Sequence, residues 1–328
     1  MHSLIFFGSD QYSAIVLNAL LSSTTHSTRY TVDCVVTDRS KPVGREQKVE
    51  PNPVEKLAVT HKLKVLYYPD KKEEMNNFID TLYSILNTVY SHTDVVGLCA
   101  SFDHLVPSGV INLFDGQLFN LHPSLLPQYR NVSPVQYALA LGDAETGITL
   151  FRITTGIDNG EIIAQVAEPI HADDTTPTLT SRLFELGANL FLGELSTPGV
   201  KGAPHSGSVI PPDQLIFTHR LTRDSGYLEW PVAQRLLAGE PVSPAETANE
   251  LLKLRLSRPL HDPRSTIHDL IRALTPWPGV WTIAKTKKGE LRISLVPNLR
   301  STIHDLPSIL ISGKPKPISW SDFTKYYL

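Results

Sequence analysis

Short apolar runs alternate with helix-length amphipathic stretches over the first part of the chain. "SLIFF" precedes a helix predicted from about Asp10 to Leu21, and "YTVDCVV" precedes one over "NPVEKLAV", with Asn52 as N-cap and Pro53 in the first helical position. "LKVLYY", a polar helical stretch, "DVVGLC" and "GQLFNLH" continue the pattern. Such alternation predicts an α/β fold: a doubly wound, Rossmann-like, mostly parallel sheet covered by helices on both faces. Farther on, Ser133 and Pro134 are expected to start a short helix that Gly142 stops. "GITLFRI" and "EIIAQVA" read as strands joined by "TTGIDNG", where Gly156 and Gly160 permit a tight turn carrying Asp158. In "TPTLTSRLFELGANL", Leu179, Leu183, Leu186 and Leu190 form one helical stripe, expected to pack in the core.

Residues 196–214, rich in Pro, Gly and Ser, read as a linker between a domain at 1–195 and another at 215–328. The second domain carries short alternating segments, "VWTIA" and "ELRISLV", which predict a smaller β-rich, barrel-like (OB-like) unit. Trp230 and Trp277 are expected to anchor its core. The heptapeptide "RSTIHDL" stands identically at 264–270 and 300–306, too few copies for a solenoid.

The 328 residues allow two domains with separate cores, and 41% hydrophobic with 19% charged residues is ordinary for a globular chain. No apolar run approaches a membrane span, and the N-terminus lacks a basic region or cleavage site, so the chain is expected to be cytoplasmic, or to lack any transit peptide it once had. Cys34 and Cys99 sit in strand-like runs as buried thiols, and neither a C-x-x-C nor closely spaced His residues suggest a metal site. The net charge of −3 conceals an asymmetry: residues 215–328 hold 16 Lys+Arg against 10 Asp+Glu, and residues 1–214 hold 14 against 23. A basic C-terminal part on an acidic body points to a polyanionic partner, chance surface scatter being the alternative.

The chemistry concentrates in "FNLHPSLLPQYRN". Asn120 and His122 are two apart on a strand that His122-Pro123 ends, so they share one face at its carboxyl end, where open α/β sheets bind ligands. Burying an unpaired amide or imidazole costs about 1–3 kcal/mol, so each needs a partner. The pair fits a satisfied structural contact, or acyl transfer in which Asn120 donates to a developing oxyanion, His122 handles a proton and Asp158 orients the imidazole. Ser124 lacks a G-x-S-x-G elbow, which disfavours a hydroxyl nucleophile.

"NLHPSLLPQYR", followed by Asp158 in "GIDNGEII", resembles the formyltransferases that use 10-formyltetrahydrofolate, whose signature is Asn-x-His, Ser-Leu-Leu-Pro and a distant Asp. "LIFFGSDQYSAIVLNAL", "VVTDRSKPVGREQKVEPNPVEKLA", "LTRDSGYLEWP" and "LIRALTPWPGVW" resemble the branch that acts on methionyl-tRNA. The resemblance implies formyl transfer to the α-amino group of methionine on initiator tRNA for translation initiation, by a monomer without metal or obligate protein partner. It implies that Asn120, His122 and Asp158 are catalytic. Ser124, Leu125, Leu126 and Pro127 would line the folate pocket, with the pterin near "ASFDHLVP" and hence near Phe102 and Leu105. Arg45, with Lys41 and Lys48 in the same basic loop, and Arg220 and Arg223 in the C-terminal domain would meet the tRNA. The loop at 38–48 is expected to be mobile, since Pro42 and Gly44 discourage regular structure.

Departures from the family are Phe102-Asp103 where Tyr-Gly is frequent, Asn131 where Gly is usual, and an apparent insertion at 238–263. Two rival functions remain open on sequence: a formyltransferase for a small amine such as a nucleotide-linked amino sugar, and a catalytically idle RNA-binding relative.

Overall fold

The computed structural model describes residues 2–23, 30–43, 48–90, 94–195, 216–258, 262–297 and 306–328. The expected linker at 196–214, Arg45 and residues 300–305 of the second heptapeptide lie outside the described residues. The chain divides into two compact units. The first comprises residues 1–130, 147–167 and 181–215, and the second residues 131–146, 168–180 and 216–328.

The first unit is built on a sheet whose strands are β1 (His2–Phe7), β2 (Tyr30–Thr37), β5 (Lys64–Tyr67), β6 (Asp94–Ala100), β7 (Leu118–His122), β8 (Glu145–Arg152) and β9 (Ile162–Pro169), in the spatial order β5-β2-β1-β6-β7-β8-β9. The first five pair in parallel and β8 joins β7 antiparallel, so the mostly parallel sheet read from the sequence is present. Strand order reverses between β1 and β6, and the carboxyl ends of β6 and β7 lie beside that switch. Ile5, Phe7, Cys34, Val36, Val95, Cys99 and Leu118 pack on one face against Phe78, Leu82, Ile85 and Leu86 of α3 (Met75–Tyr90). Leu4 and Phe6, alternate residues of β1, are fully buried on the opposite face. Burial drives the Cys34 thiol up to about 12 and raises that of Cys99 further, so neither is a nucleophile at neutral pH.

Local signals place the helix starts. Helix α1 (Gln11–Ser22) begins after Asp10, whose carboxylate accepts from the backbone N–H groups of Tyr12 and Ser13. Helix α2 (Pro53–Thr60) begins as expected after Asn52, which accepts from Glu55 N and donates to the Asp38 carbonyl and Thr37 Oγ1. Because Asn52 ties α2 to the exit of β2, Asn52→Ala is expected to cost about 1–2 kcal/mol in chemical denaturation.

Several local expectations are corrected. Pro42 does not prevent regular structure: β3 (Lys41–Val43) and β4 (Lys48–Glu50) form a two-stranded antiparallel ribbon in which Pro42 stands opposite Val49. A proline fits such an edge because only one side of each strand is paired. Helix α5 (Pro134–Ala140) is present and Gly142 follows it in a left-handed conformation, but Ser133 has φ +66° and makes no side-chain cap. In α6 (Thr176–Leu195) the buried stripe runs through Leu179, Leu183, Phe184, Ala188 and Phe191, while Leu186 and Leu190 are half-buried. The larger aromatic area of Phe184 and Phe191 turns the helix past the all-leucine stripe.

In the second unit, where a smaller β-rich, barrel-like fold was expected, β10 (Val280–Thr286), β11 (Gly289–Val296) and β12 (Ser308–Ile311) form a small antiparallel sheet. Helices α7 (Trp230–Ala238), α8 (Glu250–Leu256), α9 (Pro263–Leu274) and α10 (Trp320–Tyr327) accompany it. Trp230 is buried among Trp320 and Phe323, whereas Trp277 is 59% exposed between two prolines and is no core anchor. The segment read as an insertion contributes α8, whose buried Arg255 pairs with Asp269 of α9, which also pairs with Arg272. The first heptapeptide copy, 264–270, lies within α9. Among the described residues, no helix is long and apolar enough to cross a membrane.

Candidate active site

A crevice of about 390 Å³ opens beyond the carboxyl ends of β6 and β7. Its walls come from Cys99, the segment Phe102 and His104–Ser108 that follows β6, Asn120 of β7, and Phe151 and Ile153–Asp158 at the end of β8. Its lining mixes apolar side chains with polar ones, among them His104, Asn120, Thr154 and Asp158, as small-molecule sites do. Of the residues expected from the sequence, Phe102, Leu105, Asn120 and Asp158 meet here.

The pleat of β7 puts Asn120 and His122 on one face, with Leu121 buried on the other. Asn120 is half-buried, and its carboxamide makes no hydrogen bond among the described residues. It therefore offers an N–H to whatever enters the crevice. His122 is 6% exposed and held on both sides. Its Nε2 lies 2.8 Å from the carbonyl of Tyr129, an acceptor that assigns the proton to Nε2. Its Nδ1 faces the carboxylate of Asp158 at 3.6 Å, an ion-pair distance longer than a hydrogen bond. A proton on Nε2 leaves Nδ1 as the nitrogen that exchanges a proton on the Asp158 side.

The turn that carries Asp158 departs from its expected basis. Gly156 and Gly160 do not hold the left-handed backbone; Asp158 itself does, at φ +44°. The glycines provide clearance instead: a Cβ on Gly160 would stand 1.6 Å from the Arg152 carbonyl, and one on Gly156 2.1 Å from the Asn159 amide. Held strain of this kind at a non-glycine residue is typical of a positioned functional group.

Ser124, Leu125, Leu126 and Pro127 are not among the crevice-lining residues. Ser124 is fully buried and donates to the Gln128 carbonyl at 2.7 Å. Thr149 Oγ1 donates to the Ser124 carbonyl and accepts from Leu126 N, and Gln165 Nε2 donates to Thr149 Oγ1 and the Leu126 carbonyl. This pinned loop delivers Tyr129, at φ +56°, with its carbonyl aimed at His122. Tyr129, Thr149 and Gln165 are positioning residues that the sequence motif does not announce; Thr149 and Gln165 each stand between apolar neighbours in β8 and β9, which is the signal the sequence offers. Arg220 and Arg223 are exposed in the second unit. Lys41 and Lys48 occupy the ribbon of β3 and β4, where they stand opposite Glu50 and Val43. Among the described residues no cluster of three or more metal-ligating side chains occurs.

The sequence matches a family model for formyl transferase over residues 2–195 and one for the formyl transferase C-terminal domain over residues 260–313. A methionyl-tRNA formyltransferase from Lactobacillus acidophilus is 32% identical over 297 residues, covering 89% of this chain and 78% of that one. Another from Marinobacter nauticus is 29% identical over 294 residues with the same shares. A solved N-formyltransferase from Helicobacter canadensis, in complex with folinic acid and dTDP-3-aminofucose, is 19% identical, with 95% of this chain and 96% of that one covered and a TM-score of 0.49.

Proposed function

This chain belongs to the formyl transferase family, and from that premise we propose that it transfers the formyl group of 10-formyltetrahydrofolate to the α-amino group of methionine on initiator methionyl-tRNA. The observation that carries the chemistry is the free carboxamide of Asn120 in the crevice beside the His122–Asp158 pair. When an amine adds to a formyl carbon, the formyl oxygen becomes negative. The Asn120 N–H is placed to meet that charge, and a proton taken up at His122 Nδ1 during the reaction would add positive charge to the same corner. The attacking amine must shed a proton; its pKa of about 7.7–8.0 leaves much of it protonated at neutral pH. Asp158 on the crevice wall is the acceptor for it, and the proton then passes to the departing donor nitrogen.

The acceptor rests on relatives named for methionyl-tRNA that align over 89% of the chain, through both family domains, and on the basic C-terminal part. The start of α1 also bears on it. Asp10 already occupies the first-turn N–H groups of Tyr12 and Ser13, so the start of α1 does not offer those two donors to a phosphate. The pinned loop at Ser124–Pro127 is assigned a supporting role, holding Tyr129 against His122.

The test is incubation with 10-formyltetrahydrofolate and, separately, methionyl initiator tRNA, methionyl elongator tRNA and a nucleotide-linked amino sugar, with mass analysis of each acceptor. Formyl-methionine on the initiator tRNA is expected; formylation of the amino sugar alone would overturn the assignment. For the RNA contacts, the double variant Arg220→Ala/Arg223→Ala is expected to flatten the dependence of log affinity on log salt by about one to two units, as two phosphate contacts are lost. An unchanged slope would remove both arginines from the interface.

A further inference from the structure

Asp158 and His104 are the crevice-lining residues that carry an acidic or imidazole group, Cys99 being held as a neutral thiol by burial. Transfer chemistry uses Asp158 and leaves His104 without a task. Yet His104 is held as a working group is held. Its Nε2 is 2.6 Å from Asp38 Oδ1. Its ring lies 4.4 Å from that of Tyr68 and 4.9 Å from that of Phe102, centroid to centroid. Its backbone N–H closes a turn on the Phe102 carbonyl. Asp38 is fixed in turn, its N–H on Ser9 Oγ and its carbonyl accepting from Asn52. The Tyr68 hydroxyl donates to the Leu105 carbonyl and braces the same segment.

A carboxylate on Nε2 requires the proton there, which makes Nδ1 of the neutral ring an acceptor. That nitrogen has no partner among the described residues, and the ring lines the crevice. The geometry points to His104, oriented by Asp38, as a specificity-determining residue of the donor pocket: Nδ1 accepts a hydrogen bond from an N–H of the donor's reduced heterocycle. The inference rests on the proposed function for the identity of the donor. A rigid acceptor matched to a ring N–H discriminates strongly, because a ligand without that N–H leaves a desolvated lone pair unpaired. His104 thus acts on donor binding, while Asn120, His122 and Asp158 act on transfer.

Tetrahydrofolate itself is the probe, its binding measured on the full chain by calorimetry for wild type, His104→Leu, His104→Asn and Asp38→Ala. Leucine keeps bulk and removes the acceptor; asparagine places an amide oxygen near the position of Nδ1. Loss of about tenfold in affinity is expected for His104→Leu. His104→Asn should recover most of it, and Asp38→Ala should fall between. In turnover, the loss should appear in the donor's KM rather than in kcat. Wild-type affinity in His104→Leu, or no recovery in His104→Asn, would overturn the inference and leave the proposed function standing. If His104→Leu fails to fold, His104→Asn against Asp38→Ala decides: Asp38→Ala binding as tightly as wild type overturns it. A wild-type protein that does not bind tetrahydrofolate overturns both.

Discussion

Replacement of Asn120 or of His122 by alanine is expected to lower kcat by at least about 10²-fold while leaving tetrahydrofolate affinity within a few-fold of wild type. The Asn120 carboxamide has no partner among the described residues, so its removal breaks none of their bonds; the loss appears only when charge develops on the formyl oxygen. His122 differs, because it is buried and held to the Tyr129 carbonyl. His122→Ala empties that site, and its effect on folding is separated from its effect on turnover by melting each variant. Near-normal turnover in a folded Asn120→Ala protein would remove the oxyanion role.

Asp158→Asn is expected to be similarly damaging, in the range of about 10²–10⁴-fold in turnover. Size and shape are kept, so the turn with φ +44° at this position, which asparagine tolerates, should persist. What changes is the group 3.6 Å from His122 Nδ1. An amide can donate to a bare Nδ1, which stabilises the neutral imidazole and removes the base that collects the amine proton. A silent Asp158→Asn substitution, measured by initial rates on methionyl initiator tRNA with saturating donor, would reduce Asp158 to a turn residue.

What was legible in the sequence was what depends on near neighbours. Asn52-Pro53 announced α2 because a cap and a fixed φ act within one turn. Asn120 and His122 announced a shared face because strand side chains alternate. The parallel sheet followed from the order of apolar runs. What stayed illegible depends on chain returning from a distance. Nothing in "QYR" reveals that the Tyr129 carbonyl meets His122, since the contact is made by backbone in a left-handed conformation that a pinned loop imposes. The His104–Asp38 pair joins residues 66 apart through the ends of two strands. Two errors have a common origin. The leucine stripe of α6 and the core placement of Trp277 were read from residue type alone, whereas burial was decided by Phe184 and Phe191 in one case and by a proline-bounded exposed turn in the other.

The most direct measurement of the central claim is single-turnover transfer from 10-formyltetrahydrofolate carrying an isotopically labelled formyl group to methionyl initiator tRNA, with wild type and Asn120→Ala compared under identical loading of donor. The label is expected on the methionine α-nitrogen in the wild-type reaction, with the Asn120→Ala rate lower by at least about 10²-fold. No label on methionine with wild type, or equal rates for the two proteins, would contradict the account.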